Sequence, residues 1–529
     1  MKRVSLLATI AAAAAFALSG GASAATVAGN YLVDQDHNLQ FSQNKQNENA
    51  ITRDPTTGVL IAGANDEIQE PLCPGTSTPL ASPCPFAAGV GVNGYYRSTD
   101  NGVTWSGGTL PGTSAHVGGG EPSLDYGPAR CTNGAFSWVC GTTVYYASLG
   151  DPFPEFGGEQ VLVYASHDDG ASWSAPVEAT STDKTSSFDD HEWIAVDRSA
   201  AHFGRVYLFW ALYCNSCAGN GNVKLYVAHS DDEGQTWSQA VQVSAGNNNT
   251  AQGFRETGQI AVSASDGTVE AFWTENADST KQPSVQVVAV SKDGGNSFSA
   301  PITIASVTDY PLTGTPFDVV DLFNRVPGMS ARVDCYPHPA ADPSSNKVYV
   351  VWCDFANGTG TVQAAVSSDG VHWTRLPGVA VPGRNAFFPA AAVSPTGRVS
   401  LAFDALTKPP SDDPWQTGVQ VYDNYYVQLL PTGSWSKPLR ASTASSNPDG
   451  SSYNNLTEQF IGDYIDIAAG PNAAYIVWTD ARAATPCQAV DDYRAAVYAG
   501  SKTATAPNPD NACAISFGNT DSVAGVIDY

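Results

Sequence analysis

The feature that most constrains this chain is a short segment it repeats. Ser98-Thr-Asp-Asn-Gly-Val-Thr-Trp105, Ser166-His-Asp-Asp-Gly-Ala-Ser-Trp173, Ser230-Asp-Asp-Glu-Gly-Gln-Thr-Trp237 and Ser291-Lys-Asp-Gly-Gly-Asn-Ser-Phe298 follow one pattern. Ser367-Ser-Asp-Gly-Val-His-Trp373 is a fifth copy, one residue shorter. The pattern suits a tight turn. The Asp carboxylate accepts backbone N–H groups, Gly supplies a left-handed position, and the aromatic ring anchors the turn in a core. Each copy follows a short apolar run such as Val161-Leu-Val-Tyr-Ala165, so it reads as the turn of a β-hairpin. Copies 61 to 76 residues apart signal a repeat architecture.

A second repeat lies upstream of the turns: an apolar strand, a Pro/Gly/Asp/Asn turn, and an apolar strand ending on a polar residue. It recurs over 50–66, 122–148, 192–210, 259–275, 336–354, 388–404 and 464–480. Seven hairpins at about 72 residues per unit give room for seven four-stranded blades, an all-β propeller. Six blades plus an accessory hairpin is the alternative. The segment from Tyr31 to Phe41 is placed to supply an outer strand to the last blade and close the ring. No low-complexity linker interrupts the units, so 25–529 reads as one domain.

On these repeats the chain resembles the sialidase-like β-propellers of exported bacterial type, whose repeated turn is the Asp-box. The resemblance covers nearly the whole chain after residue 24. It implies a glycosidase acting on terminal sugars, with three Arg clamping the substrate carboxylate, a Tyr nucleophile beside a Glu, and an Asp as acid/base. The nearest match to the Tyr motif is Asp334-Cys-Tyr-Pro-His338, which makes Tyr336 the candidate nucleophile. Glu256 or Glu192 is the candidate base and Asp66 the candidate acid. Arg255, Arg332 and Arg384 are the candidate clamp, although the family's first Arg position reads Glu48-Asn-Ala-Ile51 here. A missing clamp points to a substrate without a carboxylate, or to a propeller that binds glycan or protein without cleaving it.

Topology assigns a face to each group. A hairpin returns the chain, so strand-one starts and strand-two ends share one face and the repeated turns lie on the other. The first face is unusually acidic. Glu48, Glu121, Asp190, Glu192, Glu256, Asp334 and Asp463 stand at strand-one starts, and Asp66, Glu275, Asp354, Asp404 and Asp480 at strand-two ends. Crowded carboxyls resist full ionisation, which is how a general acid is made at neutral pH. The same acids could instead cap strand ends and pair with Arg255, Arg332, Arg384 and Arg482. Trp193, Tyr213, Tyr336, Phe387 and Tyr464 stand near this mouth, where they could stack on sugar faces or simply pack the core. No cofactor is required by this reading. Calcium stays open, with Asp189, Asp190 and Glu192 as its oxygen ligands.

Lys2 and Arg3, an apolar run from Val4 to Leu18 and Ala22-Ser23-Ala24 read as a secretory signal peptide, 1–24. An exported chain with 10 Cys implies disulfides. Spacing pairs Cys73–Cys84, Cys131–Cys140, Cys214–Cys217, Cys335–Cys353 and Cys487–Cys513, with a redox or zinc half-site as the other reading of Cys214-Asn-Ser-Cys217. A net charge of −26 repels nucleic acid and anionic membrane. The expected partner is a glycan or glycoconjugate, met by a monomer that inserts in no membrane.

Overall fold

Seven four-stranded antiparallel sheets make up the computed structural model, which describes residues 25–35, 39–152, 158–180, 187–214, 222–244, 255–275, 284–311, 324–408 and 420–529. The proposed signal peptide, 1–24, and Cys217 lie outside these residues, as does the side chain of Cys214. Blade I runs through Gln46–Arg53, Leu60–Asp66, Asn93–Ser98 and Ser106–Thr109, inner strand first. The inner strands of blades II to VI are His116–Pro128, Ser187–Val196, Arg255–Val262, His338–Ala341 and Arg384–Val393, each followed outward by its next three strands in chain order. Blade VII takes Asp466–Ala469, Ala473–Asp480 and Asp521–Asp528 from the C-terminus and its outer strand, Thr26–Leu32, from the N-terminus. The first and last parts of the chain therefore share one sheet and lock the ring. Tyr31 belongs to the closing strand as expected, but that strand starts earlier and stops at Leu32. Each inner strand contacts the next all the way round, blade VII back to blade I.

The blades pack because their strands are apolar on both faces. Trp273, Trp352 and Trp478, on second strands of blades IV, V and VII, are among the largest fully buried side chains. At about 25 cal/mol per Å² of apolar surface removed from water, such large side chains dominate the packing energy. Blade-to-blade register is fixed by side chains of one inner strand accepting backbone N–H groups of the next. Ser123 accepts from Ile194 at 2.9 Å, and Asp466 accepts from Ile51 at 2.9 Å.

The five repeated turns share one hydrogen-bond scheme. In the second copy Ser166 Oγ accepts from Gly170 N (2.8 Å), while Asp168 accepts from Ser172 N (2.8 Å) and Ser172 Oγ (2.6 Å). In the short fifth copy, His372 N donates to Asp369 at 2.8 Å and the imidazole takes the place of the hydroxyl. The carboxylates of Asp100, Asp168, Asp232, Asp293 and Asp369 are thus occupied within their own turns.

The opposite face carries the long connections. Segments 67–92, 441–465 and 481–520 rise from blades I, VI and VII and fold together as a cap around Phe41, Leu456, Val490, Tyr493, Val497 and Phe517. Disulfides Cys73–Cys84 and Cys487–Cys513 staple it, and Cys131–Cys140 closes a turn on the other face. Cys335–Cys353 forms across blade V with Cα atoms 4.8 Å apart. The register is one residue off the symmetric hairpin. His338 pairs with Val351, which would set Cys353 against Tyr336 if the ladder continued. The ladder stops at His338, and the chain before it is free to bring Cys335 across.

Candidate active site at the channel mouth

The inner strands do not run straight into the channel. Five of them bulge at the same level, between Asn47 and Ala50, Gly120 and Ser123, Asp190 and Trp193, Thr257 and Ile260, and Phe387 and Ala390. In those of blades I, II, III and VI one non-glycine residue sits in the left-handed region: Glu48 (φ 54°), Glu121 (φ 56°), His191 (φ 50°) and Phe388 (φ 46°). Each such placement costs a non-glycine residue on the order of 1 kcal/mol or more, and bulges re-aim side chains. Glycine is needed where Gly462 (φ 78°) passes Glu48, since a Cβ there would lie 2.6 Å from the Glu48 nitrogen.

Below the bulges the channel is plugged rather than open. Trp193 of blade III meets Tyr464 of blade VII with ring centres 5.8 Å apart and His338 of blade V at 5.9 Å. Trp193, a candidate sugar platform, therefore forms the floor. Above it lies a pit whose partly exposed residues are Glu121, Asp190, His191, Arg332 and Tyr336, with Glu48, Glu192, Asp334 and Asp463 buried behind them.

Two linked pairs occupy this pit. The Tyr336 hydroxyl donates to Asp334 Oδ2 at 3.1 Å, and the His191 ring lies 4.4 Å from the Tyr336 ring. On the other side of His191, its backbone N–H donates to Glu121 Oε2 at 2.7 Å, and Glu121 shares a carboxyl–carboxyl hydrogen bond with Asp190. Asn65 organises the rim next to them, donating to Glu48 Oε2 (2.8 Å) and accepting from Glu121 N (2.7 Å).

Burial is the main force on the acids here. With the Asp463 charge it lifts Glu48 to about 8 against the opposing pull of Arg332, and lifts Asp334 to about 7. Burial raises Asp190 to about 6 despite its hydrogen bond from Glu121. Burial, reinforced by Asp190, holds Glu121 well above the usual carboxylate range, and Glu192 rises for the same two reasons. Burial also drops His191 to about 4, so its ring is neutral at pH 7.

The clamp does not assemble. Arg332 reaches the pit, but its guanidinium grips Asp463 with two hydrogen bonds (2.8 and 2.6 Å) and lies 3.8 Å from Glu48. Arg384 points into its own blade, bound to Asp423 at 2.9 Å. Arg255 and Glu256 open the inner strand of blade IV, and their side chains lie outside the described residues. Asp66 is held by Gln46 (2.9 Å), Tyr96 (2.6 Å) and Ile68 N (3.1 Å), none of them a member of the pit. The acids at strand-two ends share that fate: Glu275 accepts from Trp273, Asp480 from Trp478 and Arg482, and Asp404 from Asn424. They stand one strand back from the channel, so only strand-one acids line it. Glu192, a candidate base, makes no hydrogen bond to Tyr336, for both of its carboxyl oxygens are buried without a partner. Among the described residues no group of three or more His, Cys, Asp or Glu is gathered to hold a metal ion, and Asp189 is engaged by Thr180 instead. The partner of Tyr336 stands only two residues before it, in the same Asp334-Cys-Tyr-Pro-His338 segment.

No family model and no curated protein matches the sequence. Solved structures do match. A protein of unknown function from Dyadobacter fermentans is 14% identical with a TM-score of 0.43, covering 72% of this chain and 94% of its own. An alpha-L-arabinanase of Penicillium chrysogenum bound to arabinobiose is 12% identical with a TM-score of 0.41, covering 95% and 98%. An intramolecular trans-sialidase from Ruminococcus gnavus is 11% identical with a TM-score of 0.40, covering 70% and 92%. At these scores the matches carry nothing over to this chain, whose propeller stands on its own sheets.

Proposed function

We propose that this chain is an exported glycoside hydrolase that removes terminal sugars at the channel mouth. The observation that carries the reading is the Tyr336 hydroxyl donating to Asp334 beside the hydrogen-bonded Glu121–Asp190 pair. An unassisted Tyr has a pKa near 10 and is a poor nucleophile at neutral pH. A carboxylate already holding its proton removes that obstacle. In the first step the Tyr336 oxygen bonds to the anomeric carbon and its proton passes to Asp334. The glycosidic C–O bond breaks, and Glu121 protonates the departing oxygen. In the second step water attacks the same carbon and gives its proton to Glu121, and Tyr336 leaves with the proton from Asp334. Two displacements return the original anomeric configuration. Each role suits its site, since Asp334, lifted to about 7, gains its charge as pH rises through neutrality, and burial with the neighbouring acids favours the protonated form of Glu121.

Sialic acid is a poor fit to this pit. Recognition of its carboxylate needs a free guanidinium fork, and Arg332 already presents its fork to Asp463. The substrate is a sugar without a carboxylate. Export is supported by four disulfides, which persist in oxidising compartments. No helix among the described residues is long and apolar enough to cross a membrane.

A panel of fluorogenic glycosides, neutral and acidic, tests the reading with Tyr336→Phe beside it. Turnover of a neutral glycoside that falls by about 10³ in the variant supports it. Unchanged kcat would remove Tyr336 from the chemistry. If nothing on the panel is cleaved but glycans bind, the face is a binding site and the catalytic reading fails.

A further inference from the structure

We propose that Lys45 and Asn454 are joined by an intramolecular isopeptide bond, made by the chain itself with Glu67 as the proton carrier. The three side chains come from distant parts of the sequence. Lys45 immediately precedes the inner strand of blade I, Glu67 follows that blade's second strand, and Asn454 lies in the cap segment between blades VI and VII. Lys45 Nζ is in contact with the side-chain carbonyl oxygen of Asn454. Oε2 of Glu67 reaches both nitrogens that the reaction exchanges, Lys45 Nζ at 2.8 Å and Asn454 Nδ2 at 3.3 Å. The group is shut away from water, for Lys45 is 2% exposed and Glu67 and Asn454 6% each. The Phe41 ring covers the amine, its centre 4.4 Å from Nζ.

Burying an ion pair takes two charges out of water, a cost that their attraction recovers only with good geometry. Transfer of the Lys45 proton to Glu67 removes both charges at once, and burial already raises Glu67 above the usual carboxylate range. The neutral amine is then a nucleophile held against an amide, where fixed proximity replaces a chance encounter. Nζ bonds to Cγ of Asn454, one amine proton passes through Glu67 to Nδ2, and the Cγ–Nδ2 bond breaks with its electron pair leaving on ammonia. The products are a secondary amide, one ammonia, and Glu67 holding the proton that Lys45 began with. No oxidant or other reactant is consumed. The link ties residues 409 apart in sequence, whereas the described disulfides span at most 26. It fastens blade I to the cap segment that also carries Asp463, a covalent latch on the channel face to match the shared sheet of blade VII.

Mass spectrometry of the purified full chain, reduced and alkylated, tests this without any substrate. From its determined N-terminus the protein should weigh less than its sequence requires by one ammonia. Trypsin should not cut after Lys45, and the digest should contain one branched peptide joining the segment around Lys45 to that around Asn454. Succinimide formation at an asparagine also loses ammonia, so the branched peptide is the deciding species. Glu67→Gln should lack it, and the mass of that variant should match its own sequence. In reductant, where the disulfides open, wild type should still melt at a higher temperature than Glu67→Gln. Separate, unmodified peptides holding Lys45 and Asn454 in wild type overturn the proposal and leave an ordinary buried ion pair, whether or not the variant folds. A branched peptide formed to the same extent in Glu67→Gln overturns the carrier and with it the mechanism. Neither result bears on the hydrolase reading, which the glycoside panel tests by itself.

Discussion

The two faces of this propeller use the same side chain in opposite ways. On the turn face, Asp100, Asp168, Asp232, Asp293 and Asp369 accept from hydroxyl and backbone groups a few residues away, which holds all five below the usual carboxylate range. On the channel face, burial pushes Glu48, Glu121, Asp190, Glu192 and Asp334 above it. The turn acids form their bonds from local sequence, and their charge is always compensated. The channel acids are brought together from blades far apart in sequence, where few donors wait for them. A carboxyl of the first kind stabilises; one of the second kind stores free energy that a substrate can release.

The sharpest break between the faces is kinetic. Asp334→Asn and Tyr336→Phe should each lower kcat/KM by about 10³, whereas Asp168→Asn should leave it within a factor of two. The pH profile adds a sign. Asp334 must be ionised to take the phenol proton, so activity should rise through about pH 7, where that group titrates. An acidic limb that stays near pH 4 in kinetic titration would remove Asp334 as the base.

Stability should run against activity. A carboxyl raised in the folded state stabilises fully below its unfolded pKa, and that contribution is lost as pH rises through the folded value. Glu48 is lifted from 4.5 to about 8, so the fold should weaken between those values. At roughly 1.4 kcal/mol per pKa unit the buried group is worth a few kcal/mol. Denaturant unfolding should show less stability at pH 8 than at pH 5, and Glu48→Gln should flatten the difference by keeping a neutral side chain of the same shape. A wild type more stable at pH 8 than at pH 5 would contradict the direction assigned to the whole cluster.

Much of this was legible in the chain because it repeats. Seven hairpins, five turns and the local Cys spacings are short-range features, and each fixes its own geometry: Asp168 and Ser172 find each other whatever else happens. The pit is not short-range. Arg332 and Asp463 are 131 residues apart, and nothing in either segment announces the pair. Alternation along a strand also misleads where the chain bulges, for Glu48, Glu121 and His191 are turned by left-handed backbone that sequence does not reveal outside glycine. The same limit displaced Asp66, which belongs to the right face but to the second strand, where Tyr96 and Gln46 claim it.

The smallest effect should come from the turn face, and it should have the opposite pH dependence. Asp232 accepts from Thr236 N (2.8 Å), Thr236 Oγ1 (2.6 Å) and Ser230 Oγ (2.8 Å), the same service an N-cap carboxylate performs for a helix. Asp232→Ala should therefore cost about 1 kcal/mol at pH 7. Because its folded pKa is lowered, the contribution is complete above the ordinary value of 3.8 and disappears as pH falls through the folded one. Wild type and variant should then converge in acid, while Glu48→Gln and wild type converge there for the reverse reason: in acid Glu48 is already neutral. Measured on one protein, the two substitutions separate acids that hold the fold from acids that burden it. An Asp232→Ala difference that grew on acidification would mean the turn carboxylate is not compensated in place, and the contrast between the faces would collapse.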